Sequence, residues 1–176
     1  PKGWTRIITI NTWKGDGNYD WRMQMMAMEL YNLQPDIVCL QESVRTEDNQ
    51  IDTAEFLADF LGMEMVYAPA RLKSRSIGSF DFRCHSGLAI LSAYRFDRQW
   101  ITTIPTSEED PERMAFSAQM YCGNQKITVT NLHLTHIGQE GDLRLGDLGG
   151  GGEDLRQVHA VDEEEEDAHE RHEDED

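Results

Sequence analysis

A strand that runs directly into two polar residues decides the fold of this chain: residues 35–42 read PDIVCLQE. The segment 37–40 is almost continuously apolar, which is typical of a strand buried on both faces of a sheet. Gln41 and Glu42 follow at its C-terminal end. A carboxylate this close to the core needs a cation or hydrogen-bond donors to offset its desolvation. Glu42 is therefore a candidate metal ligand, although a glutamate that only begins a loop fits the same pattern.

The elements on either side of this strand predict an α/β fold. A β-branched run predicts a strand at residues 5–10, and apolar residues at helical spacing predict a helix that Asp20 caps and Pro35 ends. A second helix is predicted at 53–61, with Phe56, Leu57, Phe60 and Leu61 on one face. A polar, basic loop at 69–85 and five further strands follow, at 63–67, 86–91, 100–104, 114–122 and 126–132. This order predicts a sandwich of two mixed β-sheets flanked by helices, rather than a doubly wound sheet.

Polar residues at strand ends indicate where a site would form. Asn11 follows the first strand as Glu42 follows the second, and open α/β sheets bind ligands at the carboxyl ends of their strands. Asn131 and His133 alternate with leucines, so a strand would place them on one face, where they could meet a phosphate. A histidine that is only hydrogen-bonded within its strand fits equally well. His136, three residues on, does not make a zinc motif without further ligands.

Four runs in this order resemble the successive signatures of the endonuclease/exonuclease/phosphatase superfamily: ITINTW at 8–13, PDIVCLQE at 35–42, SGLAILS at 86–92 and NLHL at 131–134. The resemblance covers about residues 5–136. It implies an α/β sandwich of two packed sheets that uses Mg²⁺ or Mn²⁺ to hydrolyse phosphodiester or phosphomonoester bonds. By matching motif, Glu42 and Asn11 would serve the metal, and His133 and Asn131 would serve the phosphoryl group.

The resemblance also implies what should follow His133. Members of the family carry a Gly-Asp-x-Asn segment for water activation and phosphate binding, and then a terminal Asp-His pair; neither follows here. Residues 15–18 read GDGN, but they lie after the first strand and predict a turn. We therefore expect an incomplete domain at 1–148, without the C-terminal part of the fold and with impaired activity.

The net charge of the chain indicates which kinds of substrate it would bind. The formal net charge is −17, of which residues 162–176 contribute −10 and the remainder −7. An acidic body disfavours nucleic acid and favours a phosphorylated small molecule or a lipid headgroup as substrate. The basic residues of the 69–85 loop offer a phosphate contact or a solvated surface: Arg71, Lys73, Arg75 and Arg83. The segment 149–176 begins with four glycines and continues as an acidic run, which predicts a disordered tail.

Other functions and properties remain open at this point. A noncatalytic fragment or interaction module could bind basic proteins or cations through the acidic tail, and His159, His169 and His172 could help it sequester metal. No apolar run reaches the roughly 18 residues of a membrane span. Three cysteines without a Cys-x-x-Cys pair slightly favour a cytoplasmic location, with secretion still open. The expected loss of C-terminal strands predicts an exposed sheet edge and self-association through it.

Overall fold

The computed structural model describes residues 4–77, 80–104 and 113–134. In chain order the elements are β1 (Ile7–Asn11), α1 (Tyr19–Leu33), β2 (Ile37–Thr46), α2 (Thr53–Leu61), β3 (Glu64–Ala68), β4 (Leu72–Ile77), β5 (Phe80–Ser92), β6 (Phe96–Thr103), β7 (Met114–Cys122) and β8 (Gln125–Leu132). The predicted tail, His136 and the three tail histidines lie outside the described residues. No helix in the described ranges is long and apolar enough to cross a membrane.

The strands form two sheets, which confirms the predicted α/β sandwich. One sheet has five strands in the order β1-β2-β5-β3, with β4 also paired to β5. It is mixed, because β1 and β2 run parallel and the other pairs run antiparallel. The second sheet, β6-β7-β8, is antiparallel within the described residues. This corrects the prediction that both sheets are mixed.

The apolar run of β2 is continuous because β2 separates two core layers. Val38 and Leu40 pack on one face with α1 and α2. Ile37 and Cys39 point to the opposite face and pack against the second sheet around Phe116. Burial of one such aliphatic side chain contributes about 1.5–3 kcal/mol to folding. Among the described residues the two helices lie on one face of the larger sheet, so they flank the sandwich on one side.

Two predicted helices are present, with local corrections. The helix α1 is capped by Asn18 rather than by Asp20, because the Asn18 side chain accepts a hydrogen bond from the backbone N–H of Trp21. The helix α2 has the predicted bounds and ends at Gly62 in the left-handed conformation. Its buried residues include Ala54 and Leu57, whereas Phe56 and Phe60 are exposed. The predicted face is therefore only half correct: Leu57 is buried and Leu61 packs against the core, but the two phenylalanines lie outside because Ala54 and Ala58 face the sheet.

The predicted loop at 69–85 was also wrong. Most of it forms the antiparallel pair of β4 with the first half of β5, in which Leu72 lies opposite His85. The strand was missed because β4 lacks the usual alternation of buried and exposed residues: Lys73 and Ser74 are consecutive and both exposed. The basic residues of this segment therefore lie on strands, apart from Arg71, which precedes β4.

Candidate functional site

The sequence predicted that the strand β2 ends at Glu42. In the structure β2 continues beyond this residue and forms a bulge there. Its pairing with β5 is interrupted between Leu40 and Ser43 and then continues to Thr46. Glu42 adopts a φ of 55°, a left-handed conformation that costs about 1–3 kcal/mol for a residue other than glycine. β-Bulges and strained residues are frequent beside functional sites, where they redirect a side chain. The bulge therefore singles out Glu42 within an otherwise regular strand.

A glycine on the neighbouring strand permits the contact that supports this bulge. The Tyr67 hydroxyl donates a hydrogen bond to the Ser43 carbonyl at 3.1 Å. A Cβ atom on Gly87 would lie 2.8 Å from the Tyr67 hydroxyl and 2.2 Å from the carbonyl oxygen of Ala68. Burial raises the pKa of Tyr67 well above its usual value, so the hydroxyl remains protonated and can donate. Gly87 is thus required for the close approach of Tyr67 to β2.

The Glu42 carboxylate lies between two basic side chains. Its Oε1 atom is 3.2 Å from the Lys14 Nζ atom and 4.0 Å from the His133 Nε2 atom. The Glu42 side chain is 14% exposed and that of Lys14 is 30% exposed. The structure therefore brings Glu42 and His133 together from strands that are far apart in sequence. Lys14, which the sequence analysis did not identify, provides the counter-ion for the partly buried carboxylate.

Lys14 belongs to a loop that Arg22 holds in place. The Arg22 guanidinium donates hydrogen bonds to the carbonyl oxygens of Thr12, Trp13, Lys14 and Asp16, at distances from 2.6 to 3.5 Å. Trp13 and Lys14 have φ angles of 53° and 49°. Two consecutive residues in this conformation need such support. The sequence contains only a weak signal for this role of Arg22, namely an arginine in the first turn of a helix.

Asn131 occupies a different environment from His133. It is buried, and its Nδ2 atom donates to the carbonyl oxygens of Leu40 at 2.8 Å and Ala89 at 2.9 Å. Its Oδ1 atom accepts a hydrogen bond of 2.7 Å from the Gln41 Nε2 atom. Both amide hydrogens and the amide oxygen are thus used to join the two sheets. His133 follows the end of β8 and is 32% exposed at its side chain.

Asn11 lies beside this group of residues. In the parallel pair of β1 and β2 it is the register partner of Gln41, the residue before Glu42. Its side chain is exposed, and the Oδ1 atom accepts a hydrogen bond of 2.8 Å from the backbone N–H of Trp13. The structure therefore places Asn11 next to the site, with its amide oxygen engaged by the loop that carries Lys14.

A small cleft of about 60 Å³ opens next to His133. It is lined by Ser86, Gly87, Arg113 and His133, together with Ala70, Leu88 and Met114. The Arg113 Nη1 atom donates to the His133 carbonyl at 3.1 Å and lies 3.5 Å from the His133 Nδ1 atom. Arg113 immediately precedes β7, and the sequence analysis did not identify it. The cleft thus carries one guanidinium group, that of Arg113, and one imidazole ring, that of His133.

The donor set is open rather than a closed cage. In the described part of the chain, no three His, Cys, Asp or Glu side chains lie close enough together to hold a metal ion. Mg²⁺ commonly uses one or two carboxylates and completes its shell with water and substrate phosphate. Glu42 is one such carboxylate, partly buried and in this structure paired with the Lys14 ammonium group. A Mg²⁺ or Mn²⁺ ion that used one carboxylate here would take it from Glu42, and the exposed Asn11 lies nearby.

The fold is similar to that of several solved structures. An endonuclease/exonuclease/phosphatase family protein from Leptotrichia buccalis C-1013-b matches with a TM-score of 0.59 at 15% identity, over 75% of this chain and 54% of that chain. TDP2 from D. rerio, complexed with single-strand DNA product, matches with 0.58 at 19% identity, over 82% and 51%. The human Nocturnin catalytic domain with bound sulfate anion matches with 0.51 at 18% identity, over 76% and 51%.

These comparisons concern the fold. The chain spans about half the length of the three solved chains. No protein-family model matches the sequence, and no curated protein matches it significantly. The similarity of structure confirms the predicted fold, an α/β sandwich like that of solved endonuclease/exonuclease/phosphatase proteins.

Proposed function

We propose that this chain belongs to a metal-dependent phosphoester hydrolase of the endonuclease/exonuclease/phosphatase superfamily, and that Glu42 and His133 mark its active site. The observation that carries the proposal is the 4.0 Å separation between the Glu42 Oε1 atom and the His133 Nε2 atom. The two residues come from two of the four motifs that carry the resemblance, PDIVCLQE and NLHL, and the fold brings them together. A bulged strand and the small cleft that Arg113 lines lie beside them.

Each residue has a role that its contacts support. Glu42 would hold Mg²⁺ or Mn²⁺, with Asn11 beside it, and the bound ion would neutralise charge on the phosphoryl oxygens. His133 would donate a hydrogen bond from Nε2 to a phosphoryl oxygen as charge develops. Arg113 contacts the His133 carbonyl and fixes the backbone that carries the ring. The group then combines a carboxylate for the ion with cationic donors for the phosphate.

We assign Asn131 a positioning role rather than contact with the substrate. Its amide is occupied by Leu40, Ala89 and Gln41, so no hydrogen remains on Nδ2 for a phosphoryl oxygen. The bond to Gln41 fixes the residue that immediately precedes Glu42. Asn131 would act on the reaction through the geometry of the bulge.

The substrate is proposed to be a phosphorylated small molecule or a lipid headgroup, because the chain is acidic. The sulfate anion in the human Nocturnin domain supports a tetrahedral anion as ligand of this fold. The single-strand DNA product in the D. rerio TDP2 structure makes a nucleic-acid phosphodiester the second candidate. Both candidates share the phosphoester group, and a substrate panel separates them.

Turnover by the chain as given should be slow. Neither a Gly-Asp-x-Asn segment nor a terminal Asp-His pair follows His133, and these are the residues that the family resemblance assigns to water activation and phosphate binding. Loss of an acid or base that acts on the nucleophile commonly costs two to four orders of magnitude in rate. If turnover is absent altogether, the noncatalytic interaction module becomes the better description.

Metal binding tests the proposal independently of rate. Mn²⁺ titrated into the full chain should broaden the backbone amide NMR signals of residues 42 and 43, which separates this site from ions on the acidic segment. Glu42→Gln should abolish that local broadening. Glu47→Gln, on an exposed glutamate just beyond β2, removes the same charge and should leave it intact. Equal broadening in both variants would remove Glu42 from the metal site.

Hydrolysis tests the role of His133. Nitrophenyl phosphodiesters, phosphomonoesters and single-stranded DNA are assayed with Mn²⁺, and His133→Ala should reduce turnover at least about 100-fold. His169→Ala, in the acidic segment, is the matched control and should retain activity. Turnover that survives His133→Ala would contradict the assignment of this residue.

A further inference from the structure

We infer that Lys14 competes with the metal ion for Glu42 and that, once displaced, its ammonium group becomes a ligand of the phosphoryl group. This inference rests on the proposed function, since it concerns the same carboxylate. It assigns a role to a residue that lies outside the four residues the sequence motifs selected. It also predicts that metal and phosphate bind cooperatively.

The competition follows from the position of the ammonium group. The Lys14 Nζ atom lies 3.2 Å from Oε1, the same Glu42 oxygen that faces His133. A divalent ion on that oxygen would meet the ammonium group at contact range, and two cations there repel one another. Binding of the ion therefore requires the ammonium group to move away.

The loop geometry determines which part of Lys14 can move. Arg22 binds the Lys14 carbonyl at 3.1 Å and the carbonyls on either side of it, so the backbone is fixed. The side chain is more exposed than its partner, 30% against 14%, and a lysine has a flexible four-carbon stem. The ammonium group can thus leave Glu42 without rearrangement of the loop.

The neighbouring groups indicate which ligand a displaced ammonium group would bind. His133 lies 4.0 Å from the same carboxylate oxygen, and Arg113 lies 3.5 Å from the His133 ring. A phosphoryl group between the ion and His133 would carry negative charge on several oxygens, which charge-assisted donors bind well. Lys14, freed from Glu42, adds one such donor from the side of the β1 loop.

The inference makes predictions of opposite sign for two ligands, which a purely structural role would not. In the full chain, Lys14→Met should tighten Mn²⁺ binding at the residue 42 and 43 amides about two- to fivefold, the range expected for loss of a partly exposed ion pair. The same variant should weaken binding of inorganic phosphate in the presence of saturating Mn²⁺, by roughly threefold or more. Lys14→Arg should restore phosphate binding.

The controls separate this mechanism from net charge and from misfolding. Lys126→Met removes the same charge from another ion pair, that with Asp97 at the start of β8, and should change neither affinity more than about 1.5-fold. The amide spectra of the two methionine variants should keep the dispersion of the parent chain.

Three outcomes would overturn the inference: weaker Mn²⁺ binding in Lys14→Met, unchanged binding of both ligands, or the same changes in Lys126→Met. Failure of the proposed function is distinguishable, because the parent chain would then show no Mn²⁺ broadening at residue 42 that Glu42→Gln abolishes.

Discussion

The Gln41 side-chain amide donates a 2.7 Å hydrogen bond to the Asn131 side-chain oxygen, and this bond joins the two sheets one residue before Glu42. Asn131 completes the connection through the carbonyls of Leu40 and Ala89. The proposed metal ligand therefore stands next to a buried polar link rather than at the end of a free strand. The stability of the sandwich and the geometry of the site depend on the same amide.

Asn131→Ala should lower the free energy of unfolding by about 3 kcal/mol, because it leaves buried polar partners unsatisfied at about 1–3 kcal/mol each. Urea denaturation followed by circular dichroism measures the change. Asn32→Ala, on the exposed side of α1, is the matched control and should stay within about 0.5 kcal/mol of the parent chain. A loss below about 1 kcal/mol for Asn131→Ala would show that water replaces the amide.

Arg22→Met should destabilise the β1 loop, with a cost of about 2 kcal/mol for the lost charge-assisted hydrogen bonds and faster proteolytic cleavage within residues 12–18. Arg22→Lys should rescue little, since a single ammonium group cannot span four carbonyls. The control is Arg95→Met, on a side chain that is 93% exposed. Full rescue by lysine would mean that charge, rather than the fork of donors, holds the loop.

Gly87→Ala should lower the free energy of unfolding by about 3 kcal/mol, because the added methyl group overlaps the Ala68 carbonyl and the Tyr67 ring. Gly62→Ala, where φ is +66° and the surrounding space is open, should lower it by only about 1 kcal/mol. In the Gly87→Ala variant, a further Tyr67→Phe substitution should lower the free energy of unfolding only slightly, since the hydrogen bond to the Ser43 carbonyl is already lost. A full additional loss from Tyr67→Phe would show that the two residues act independently.

Stability should fall at alkaline pH, in part through Cys39. Burial raises the pKa of this thiol from 9.0 to about 12. Between these values the unfolded chain releases the proton while the folded chain retains it, so stability present below pH 9.0 is lost as the pH rises. Cys39→Ala should reduce the slope of unfolding free energy between pH 9.5 and 11 by about 1 kcal/mol per pH unit. Below pH 8 the two curves should run parallel, and identical slopes above pH 9.5 would contradict the assignment.

Local patterns were sufficient for the order of elements, apart from the unpredicted β4, and for one half of the site. The apolar run before Gln41 predicted a strand buried on both faces, and helical spacing with Gly62 predicted the bounds of α2. Glu42 was identifiable because a carboxylate directly after such a strand must lie near the core. These inferences succeed because periodicity and burial are properties of neighbouring residues.

Only the tertiary structure determined the partners of Glu42 and the separation of Asn131 from His133. A strand pattern assigns both residues to one face, but the end of β8 falls between them, so Asn131 points into the interior and His133 lies in the partly exposed cleft. Asn131 meets Gln41 across 90 residues of chain. Lys14 reaches Glu42 because Arg22 holds the backbone of its loop in place and because the bulge turns the Glu42 carboxylate toward the Lys14 ammonium group. Sequence periodicity specifies which side chains are buried, whereas the register between distant strands specifies which side chains contact one another.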